Sequence, residues 1–124
     1  SDLFHNKFDS YVSSRKASSY LLNKYKIDRK ILCSKAIVRG VKFYTDKGVA
    51  VLDINGSGFF SRHPIVYLNS DEKAKNFLLK QKVTFGIFNK SAWKDIQHIS
   101  NLYGIRVYLL NKIGDSYIVK IQAK

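Results

Sequence analysis

The spacing of apolar residues between residues 65 and 110 limits the folds that are open to this chain. Short apolar runs at 65–68, 83–88 and 105–110 alternate with two segments whose apolar residues recur at helical spacing. The runs are typical of strands, and the segments between them are typical of amphipathic helices. A strand–helix–strand–helix–strand order implies parallel pairing through right-handed crossovers. The sequence therefore predicts an α/β (α+β) fold, a mixed β-sheet with helices on its faces.

The two helices in this region carry signals for their ends. Asn69 stands before Glu72 in a capping arrangement, with Asn in place of Ser or Thr. The second helix is expected at 90–103, and Gly104 is suited to end it. Between the helices, the nearly uncharged residues 83–88 predict a central strand buried on both faces. One side of the first helix consists of Ala74, Phe77, Leu78 and Gln81, and one side of the second consists of Ala92, Ile96, Ile99 and Tyr103.

The remaining segments complete a predicted order of α-α-β-β-β-α-β-α-β-β. At the N-terminus we expect two helices, at 2–12 and 14–26, and the second has Ala17, Tyr20, Leu21 and Tyr25 on one side. Asp46-Lys47-Gly48 predicts a hairpin turn between two neighbouring strands. The strands outside the central region are expected at 36–44, 49–54 and 117–121, with turns at 55–58 and 111–115.

The charge of the chain is its most informative bulk property. Lys and Arg number 22 and Asp and Glu number 9, which leaves a net charge of +13. The positive residues run from Lys7 to Lys124 with apolar residues between them, so the charge belongs to a folded surface and not to a basic tail. Such a field suits a polyanionic partner: nucleic acid, an anionic membrane or an acidic protein.

The length of the chain indicates a single domain over residues 1–124. The absence of Met indicates a processed product or a domain excised from a longer chain. No apolar run approaches the roughly 18 residues that a transmembrane helix needs, and the start of the sequence has no signal pattern, which favours an intracellular protein. Cys33, the only cysteine, is expected to be a small buried residue beside Ile31 and Leu32.

The ends of the predicted parallel strands provide the first candidate site. Ligands of open α/β sheets collect beyond the carboxyl ends of the strands. Here these ends read Asn69-Ser70-Asp71, Asn89-Lys90-Ser91 and Asn111-Lys112. Two of them open helices, whose N-termini favour an anion, and Lys90 and Lys112 add formal charge. We therefore expect a phosphate-binding edge there, although the Asn and Ser residues also suit simple helix capping.

The loop from Asn55 to His63 is a second candidate. Phe59 and Phe60 could stack on bases, and Arg62 could bind a phosphate. The alternative is that the two phenylalanines begin the next strand and enter the core. If the chain cleaves RNA without a metal, His63 would act as the general acid or base beside Arg62, with Tyr67 or Tyr44 as an accessory hydroxyl.

Asp46 and Asp53, followed by Ile54-Asn55, form the pattern D-x6-D-x-N. This pattern and the α-β-β-β-α-β order from Ser14 to Phe88 resemble the restriction-endonuclease-like nucleases. The resemblance implies a Mg²⁺ site at Asp46 and Asp53, although Asn55 stands where the family has the lysine of its metal site. An Asp at a turn more often caps that turn.

These observations favour a nucleic-acid-binding domain that uses a basic face with aromatic residues, and they leave open whether the partner is DNA or RNA. Nuclease activity is left open, with a metal-independent ribonuclease favoured over a metal-dependent nuclease. No cofactor is expected, and Mg²⁺ enters only with the metal-dependent alternative. The other function class is an interaction domain that docks on an acidic protein or an anionic membrane. The sequence does not fix the oligomeric state.

Overall fold

The computed structural model of the chain describes residues 2–38, 41, 48–56 and 65–123. Within these ranges the helices are α1 (Asp2–Lys24), α2 (Asp71–Gln81) and α3 (Lys90–Tyr103), and a single 3-10 turn covers Lys35–Ile37. The strands are β1 (Ile31–Ser34), β2 (Val49–Leu52), β3 (Val66–Leu68), β4 (Val83–Phe88), β5 (Arg106–Ile113) and β6 (Ser116–Gln122). The fold is thus mixed α/β, as the sequence predicts. None of these helices combines the length and the apolar character needed to cross a bilayer.

The strands form one mixed sheet in the order β3-β2-β1-β4-β6-β5. β1 pairs in parallel with β2 on one side and with β4 on the other, and β3 pairs in parallel with β2. β6 runs antiparallel to both β4 and β5. The three strands between residues 65 and 113 therefore share one direction, as predicted, but none of them is adjacent to another, because β1, β2 and β6 separate them.

Two apolar layers cover the sheet, one on each face. Ala17 and Leu21 of α1 pack against one face, and the buried sides of α2 and α3 pack against the other. Successive residues of β1 alternate between the layers, so that every residue of this strand is buried. Central strands of a parallel sheet have this character because helices cover both faces. Cys33 is completely buried within β1, which confirms its expected place.

The prediction of two N-terminal helices is wrong, because residues 2–24 form one helix of 23 residues. The proposed break fell at Ser13 and Ser14, but the segment contains neither Gly nor Pro to end a helix. Both serines are buried, and Ser18 Oγ donates a hydrogen bond to the Ser14 carbonyl oxygen at 2.9 Å. This bond within the helix gives the Ser18 hydroxyl a hydrogen-bond partner, and the helix continues through the serines without a break.

The first strand lies earlier than predicted. Residues 31–34 form β1, whereas the start of the predicted 36–44 strand is a 3-10 turn. Ile37, Val38 and Val41 are all buried, a spacing that fits a helical turn better than an extended chain. Residues 39–40 and 42–47 lie outside the described residues. The expected hairpin into β2 is also wrong, because β1 and β2 run parallel.

The later elements follow the sequence closely. α3 has the predicted bounds, with Asn89 as its N-cap and Gly104 in the left-handed conformation at its end. α2 is capped by Ser70, whose hydroxyl accepts a hydrogen bond from the Lys73 N–H, and not by Asn69 as predicted. β5 continues to Ile113, beyond its predicted end, and the turn before β6 is correspondingly short. The hairpin of β5 and β6 carries a register shift between Leu109 and Asn111.

Adjacent leucines on α1 provide a test of the packing on this face. Leu21 is completely buried, whereas Leu22 is 38% exposed. We expect Leu21→Ala to lower the free energy of unfolding by about 2–5 kcal/mol through lost burial and a cavity. Leu22→Ala should cost no more than about 1 kcal/mol. Chemical denaturation of both variants measures the difference, and equal costs would show that α1 packs through another face.

Candidate functional site

The carboxyl ends of the parallel strands meet at one edge of the sheet, and the strand order reverses there. The chain continues from β1 to β2 on one side, while β4 lies on the other side of β1. A crevice opens beyond such a reversal, and ligands of α/β sheets bind in it. A hydrogen bond joins the ends of β1 and β4, since the Asn89 N–H donates to Ser34 Oγ at 3.1 Å. We call the space above this bond the strand-end cleft, and it consists of two cavities.

The first cavity has a volume of about 400 Å³ and carries two lysines. Lys90 opens α3, and Lys112 lies near the end of β5. We call this the basic cavity, although Asp115 also borders it. It is lined by Ala36, Ile37, Asn89, Lys90, Ser91, Lys112, Asp115, Ser116 and Tyr117.

Lys112 is held at this cavity by an aromatic pair. It lies opposite Tyr117 in the hairpin of β5 and β6, and its Nζ stands 5.0 Å from the centre of the Tyr117 ring. Tyr117 in turn stacks on Trp93 of α3, with ring centres 5.5 Å apart and planes 9° from parallel. A cation over a tyrosine ring is favoured electrostatically. The lysine therefore has a preferred position next to the start of α3.

The start of α3 adds a positive partial charge to the same cavity. Asn89 caps the helix, because its side-chain oxygen accepts a hydrogen bond from the Ala92 N–H at 3.0 Å. The helix then runs for 14 residues, which aligns its peptide dipoles with their positive end at Lys90. The predicted capping role of Asn89 is confirmed, and capping leaves the field of the helix end in place.

The second cavity, of about 430 Å³, carries two carboxylates. We call it the acidic cavity. It adjoins the basic cavity, because Ala36, Asn89 and Ser91 border both. Its lining is Ser34, Lys35, Ala36, Leu52, Asp53, Ile54, Asn89, Ser91, Ala92 and Asp95.

The two carboxylates of the acidic cavity differ in their surroundings. The Tyr67 hydroxyl donates to Asp53 Oδ2 at 2.5 Å, and Lys35 Nζ lies 3.7 Å from the same oxygen. Asp95 accepts no hydrogen bond from the residues that the structure describes. Burial raises the pKa of the Asp95 carboxyl, and the negative charges of Asp71 and Asp53 raise it further while His98 opposes them. Asp95 is therefore the less stabilised of the two anions.

A buried serine borders each cavity. Ser34 and Ser116 are both only 2% exposed, Ser34 in the acidic cavity and Ser116 in the basic one. The hydroxyl oxygen of Ser34 accepts from Asn89, but its hydrogen has no acceptor within the described ranges. The Ser116 side chain makes no hydrogen bond there at all. A buried polar group without a partner is costly, so each hydroxyl is suited to a ligand atom in the cleft.

The structure brings together two pairs of the predicted site residues, and several others lie outside the described residues. Lys90 and Lys112 border the same cavity, while Asn69 lies at the end of β3 and lines neither cavity. Tyr67 is bonded to Asp53, a partner that the sequence did not suggest. The candidates outside the described residues are Tyr44, Asp46, Phe59, Phe60, Arg62 and His63. Base stacking by the two phenylalanines and the metal-independent ribonuclease mechanism therefore stay predictions.

The metal alternative also stays a prediction, because Asp46 is not described. Among the residues that the structure does describe, no group of three or more His, Cys, Asp or Glu side chains is placed to hold a metal ion. Lys35 and Tyr67 both contact the same oxygen of Asp53.

Sequence reasoning missed Ser34, Lys35, Asp95 and Ser116. Ser34 ends β1 and Lys35 follows it, whereas the sequence predicts the first strand later in the chain. Asp95 stands one turn into α3, where an isolated acid gives no signal in the sequence. Ser116 enters the site because β6 returns beside β4, which no local pattern encodes.

No family model, no curated protein and no solved structure matches this chain. The resemblance to restriction-endonuclease-like nucleases therefore has no independent support. A fold alone does not determine a function, so we infer the function from the residues of the site.

The Asp95 carboxyl provides a test of the electrostatics of the acidic cavity. Because its pKa is raised in the folded protein, ionisation of Asp95 destabilises the native state as the pH rises above the ordinary Asp value of 3.8. Asp95→Asn removes this cost, so we expect it to raise the melting temperature at neutral pH. Below the ordinary pKa the gain should vanish, because both states are then protonated.

Asp28→Asn is a suitable control, because Asp28 is exposed and precedes β1 at the opposite edge of the sheet. Thermal melts of both variants across pH measure the effect. A gain of equal size in Asp28→Asn, or one that persists at low pH, would contradict the account of Asp95.

Proposed function

We propose that this chain binds nucleic acid and that a backbone phosphate occupies the basic cavity of the strand-end cleft. The observation that carries the proposal is the meeting of Lys90 and Lys112 at one cavity. The two lysines come from different elements and converge next to the positive end of α3. Phosphates bind to such helix ends, and lysines add point charges to them.

The net charge of +13 supports a polyanion as the ligand. Lysine contacts to phosphates release counterions from a nucleic acid, which makes a large sequence-independent contribution to affinity. A small anion would use the cavity alone, whereas a nucleic acid strand would also interact with the exposed cations around it. Lys35, which borders the acidic cavity, and Lys94, one turn after Lys90 in α3, are both exposed. The exposed lysines around the cleft thus favour a nucleic acid strand over a single phosphate ion as the ligand.

The test compares charge reversal in the cavity with charge reversal elsewhere. The double variant Lys90→Glu/Lys112→Glu should bind a fluorescently labelled single-stranded oligonucleotide at least about tenfold more weakly than the wild-type chain at low salt. It should also make the slope of log affinity against log salt shallower by about 1.5, since each lost phosphate contact removes about 0.7–0.9. Fluorescence anisotropy over a salt series measures both quantities.

Lys30→Glu/Lys80→Glu is the matched control, because it changes the net charge by the same amount at two exposed lysines, of which Lys30 directly precedes β1. Lys80 lies at the end of α2, next to the start of β4 and thus at the opposite edge of the sheet. Equal losses in the two double variants would contradict a defined phosphate site. A wild-type chain that binds neither DNA nor RNA at low salt would contradict the whole proposal and favour docking on an acidic protein or an anionic membrane.

The same samples address cleavage. Denaturing gels of the RNA and DNA after incubation, with and without EDTA, separate a binder from the two kinds of nuclease. Loss of RNA that EDTA does not prevent and that His63→Ala abolishes would support the metal-independent ribonuclease. Intact oligonucleotides in both conditions would favour a binder.

A further inference from the structure

The strand-end cleft places opposite charges in adjoining cavities. Lys90 and Lys112 border one cavity, and Asp53 and Asp95 border the other, with Asn89 and Ser91 shared between them. Asp115 also borders the first cavity, and Lys35, which contacts Asp53, also borders the second. A ligand that presents an anionic group to the two lysines and, beside it, a hydrogen-bond donor to Asp95 would match this arrangement. An ionised carboxylate accepts hydrogen bonds and cannot donate them.

A ribonucleotide has this combination of groups. Its phosphate is covalently linked to a sugar whose 2′-hydroxyl can donate and accept a hydrogen bond, and this hydroxyl distinguishes RNA from DNA. A phosphate in the basic cavity leaves its own sugar next to the acidic one. Deoxyribose has no hydroxyl at C2′, so it would offer no donor there to offset the desolvation of a carboxylate.

Asp95 is the better acceptor of the two carboxylates. Asp53 Oδ2 already contacts the Tyr67 hydroxyl and the Lys35 ammonium group. Asp95, by contrast, accepts no hydrogen bond within the part of the chain that the structure describes, and it lines the cavity from α3. Burial and the negative charges of Asp71 and Asp53 raise the pKa of this carboxyl, and a donor from a ligand would stabilise its ionised form.

The buried serines give each cavity a neutral donor as well. Ser116 in the basic cavity makes no side-chain hydrogen bond to a described residue, and it is suited to a phosphate oxygen. The hydroxyl oxygen of Ser34 accepts a hydrogen bond from the Asn89 N–H, and its hydrogen has no acceptor among the described residues. In the acidic cavity this hydrogen is suited to the oxygen of a sugar hydroxyl that donates to Asp95.

We infer that the strand-end cleft selects RNA over DNA, with the ribose 2′-hydroxyl donating to Asp95 and accepting from Ser34. This inference rests on the proposed binding of a nucleic acid phosphate in the basic cavity. It assigns the two cavities to different parts of one nucleotide. The basic cavity then sets the affinity for any strand, and the acidic cavity sets the preference for ribose.

The test compares three single strands of one sequence: RNA, DNA and RNA with 2′-O-methyl groups. The wild-type chain should bind RNA about tenfold more tightly than DNA, the value of a typical net hydrogen bond to a charged group. The 2′-O-methyl strand should bind as weakly as DNA, because it keeps the sugar oxygen but has lost the donor. Anisotropy titrations at one fixed low salt concentration measure the three affinities.

Four variants separate recognition of the hydroxyl from a structural effect. Asp95→Ala should bring the RNA-to-DNA ratio to about one while DNA affinity stays the same or rises, since a repulsive charge is lost. Asp28→Ala, with the same change of charge at the opposite edge, should keep the wild-type ratio. Ser34→Ala should lower RNA affinity alone, whereas Ser116→Ala should lower RNA and DNA affinity equally.

Three results would overturn the inference while leaving nucleic acid binding intact. They are equal wild-type affinity for RNA and DNA, an unchanged ratio in Asp95→Ala, and full affinity for the 2′-O-methyl strand. Absence of binding to all three strands would overturn the proposed function itself, and the inference with it.

Discussion

The parallel pairing of β1 with β2 on one side and β4 on the other determines where the polar groups of this chain meet. β1 is buried on both faces, and its last residue, Ser34, accepts a hydrogen bond from the first residue after β4. Every side chain that we place in the site is within a few residues of the carboxyl end of a strand or on the first turns of α3. If β1 paired with β2 as an antiparallel hairpin, Ser34 and Asp53 would stand at opposite edges of the sheet. The cleft therefore depends on strand direction.

The antiparallel hairpin of β5 and β6 gives the cleft its second lysine. β6 lies between β4 and β5, so the end of β5 returns to the edge where α3 begins. The stack of Trp93 on Tyr117 joins this hairpin to α3, and Lys112 lies over the same tyrosine. Water screens the repulsion between Lys90 and Lys112 at the rim of the cleft. A phosphate bound between the two lysines would attract both of them. The aromatic pair thus connects the packing of the sheet to the electrostatics of the site.

Local signals in the sequence were sufficient for about the second half of the fold. α3 was predicted with its bounds because its apolar side, its Asn89 cap and its terminal Gly104 are all encoded within or beside the helix. β1 was missed because a four-residue strand buried on both faces has no alternation to detect. The segment after it was mistaken for a strand because its β-branched residues suit either structure. Propensity could not decide there, and packing against α1 did.

Only the basic cavity of the site could be predicted from the sequence, because its two lysines follow predicted strands that end at the same edge of the sheet. Lys90 and Lys112 were placed at one edge because parallel strands end together, and the structure brings them to one cavity. The acidic cavity could not be anticipated, since Asp53 and Asp95 are 42 positions apart and belong to a strand end and a helix interior. Nor could the burial of Ser116, which depends on the position of β6 between two other strands. These features arise from tertiary packing and leave no local pattern.

We propose that nucleic acid binds at the strand-end cleft and not over the basic surface as a whole. Amide chemical shifts of the isotopically labelled chain, followed during titration with a short single-stranded RNA, test this most directly. The account predicts that the largest changes occur at Ser34 and Lys35, at residues 89–91 and at residues 115–117. Changes concentrated on α1 or at the amino ends of the strands, with these residues unaffected, would contradict it.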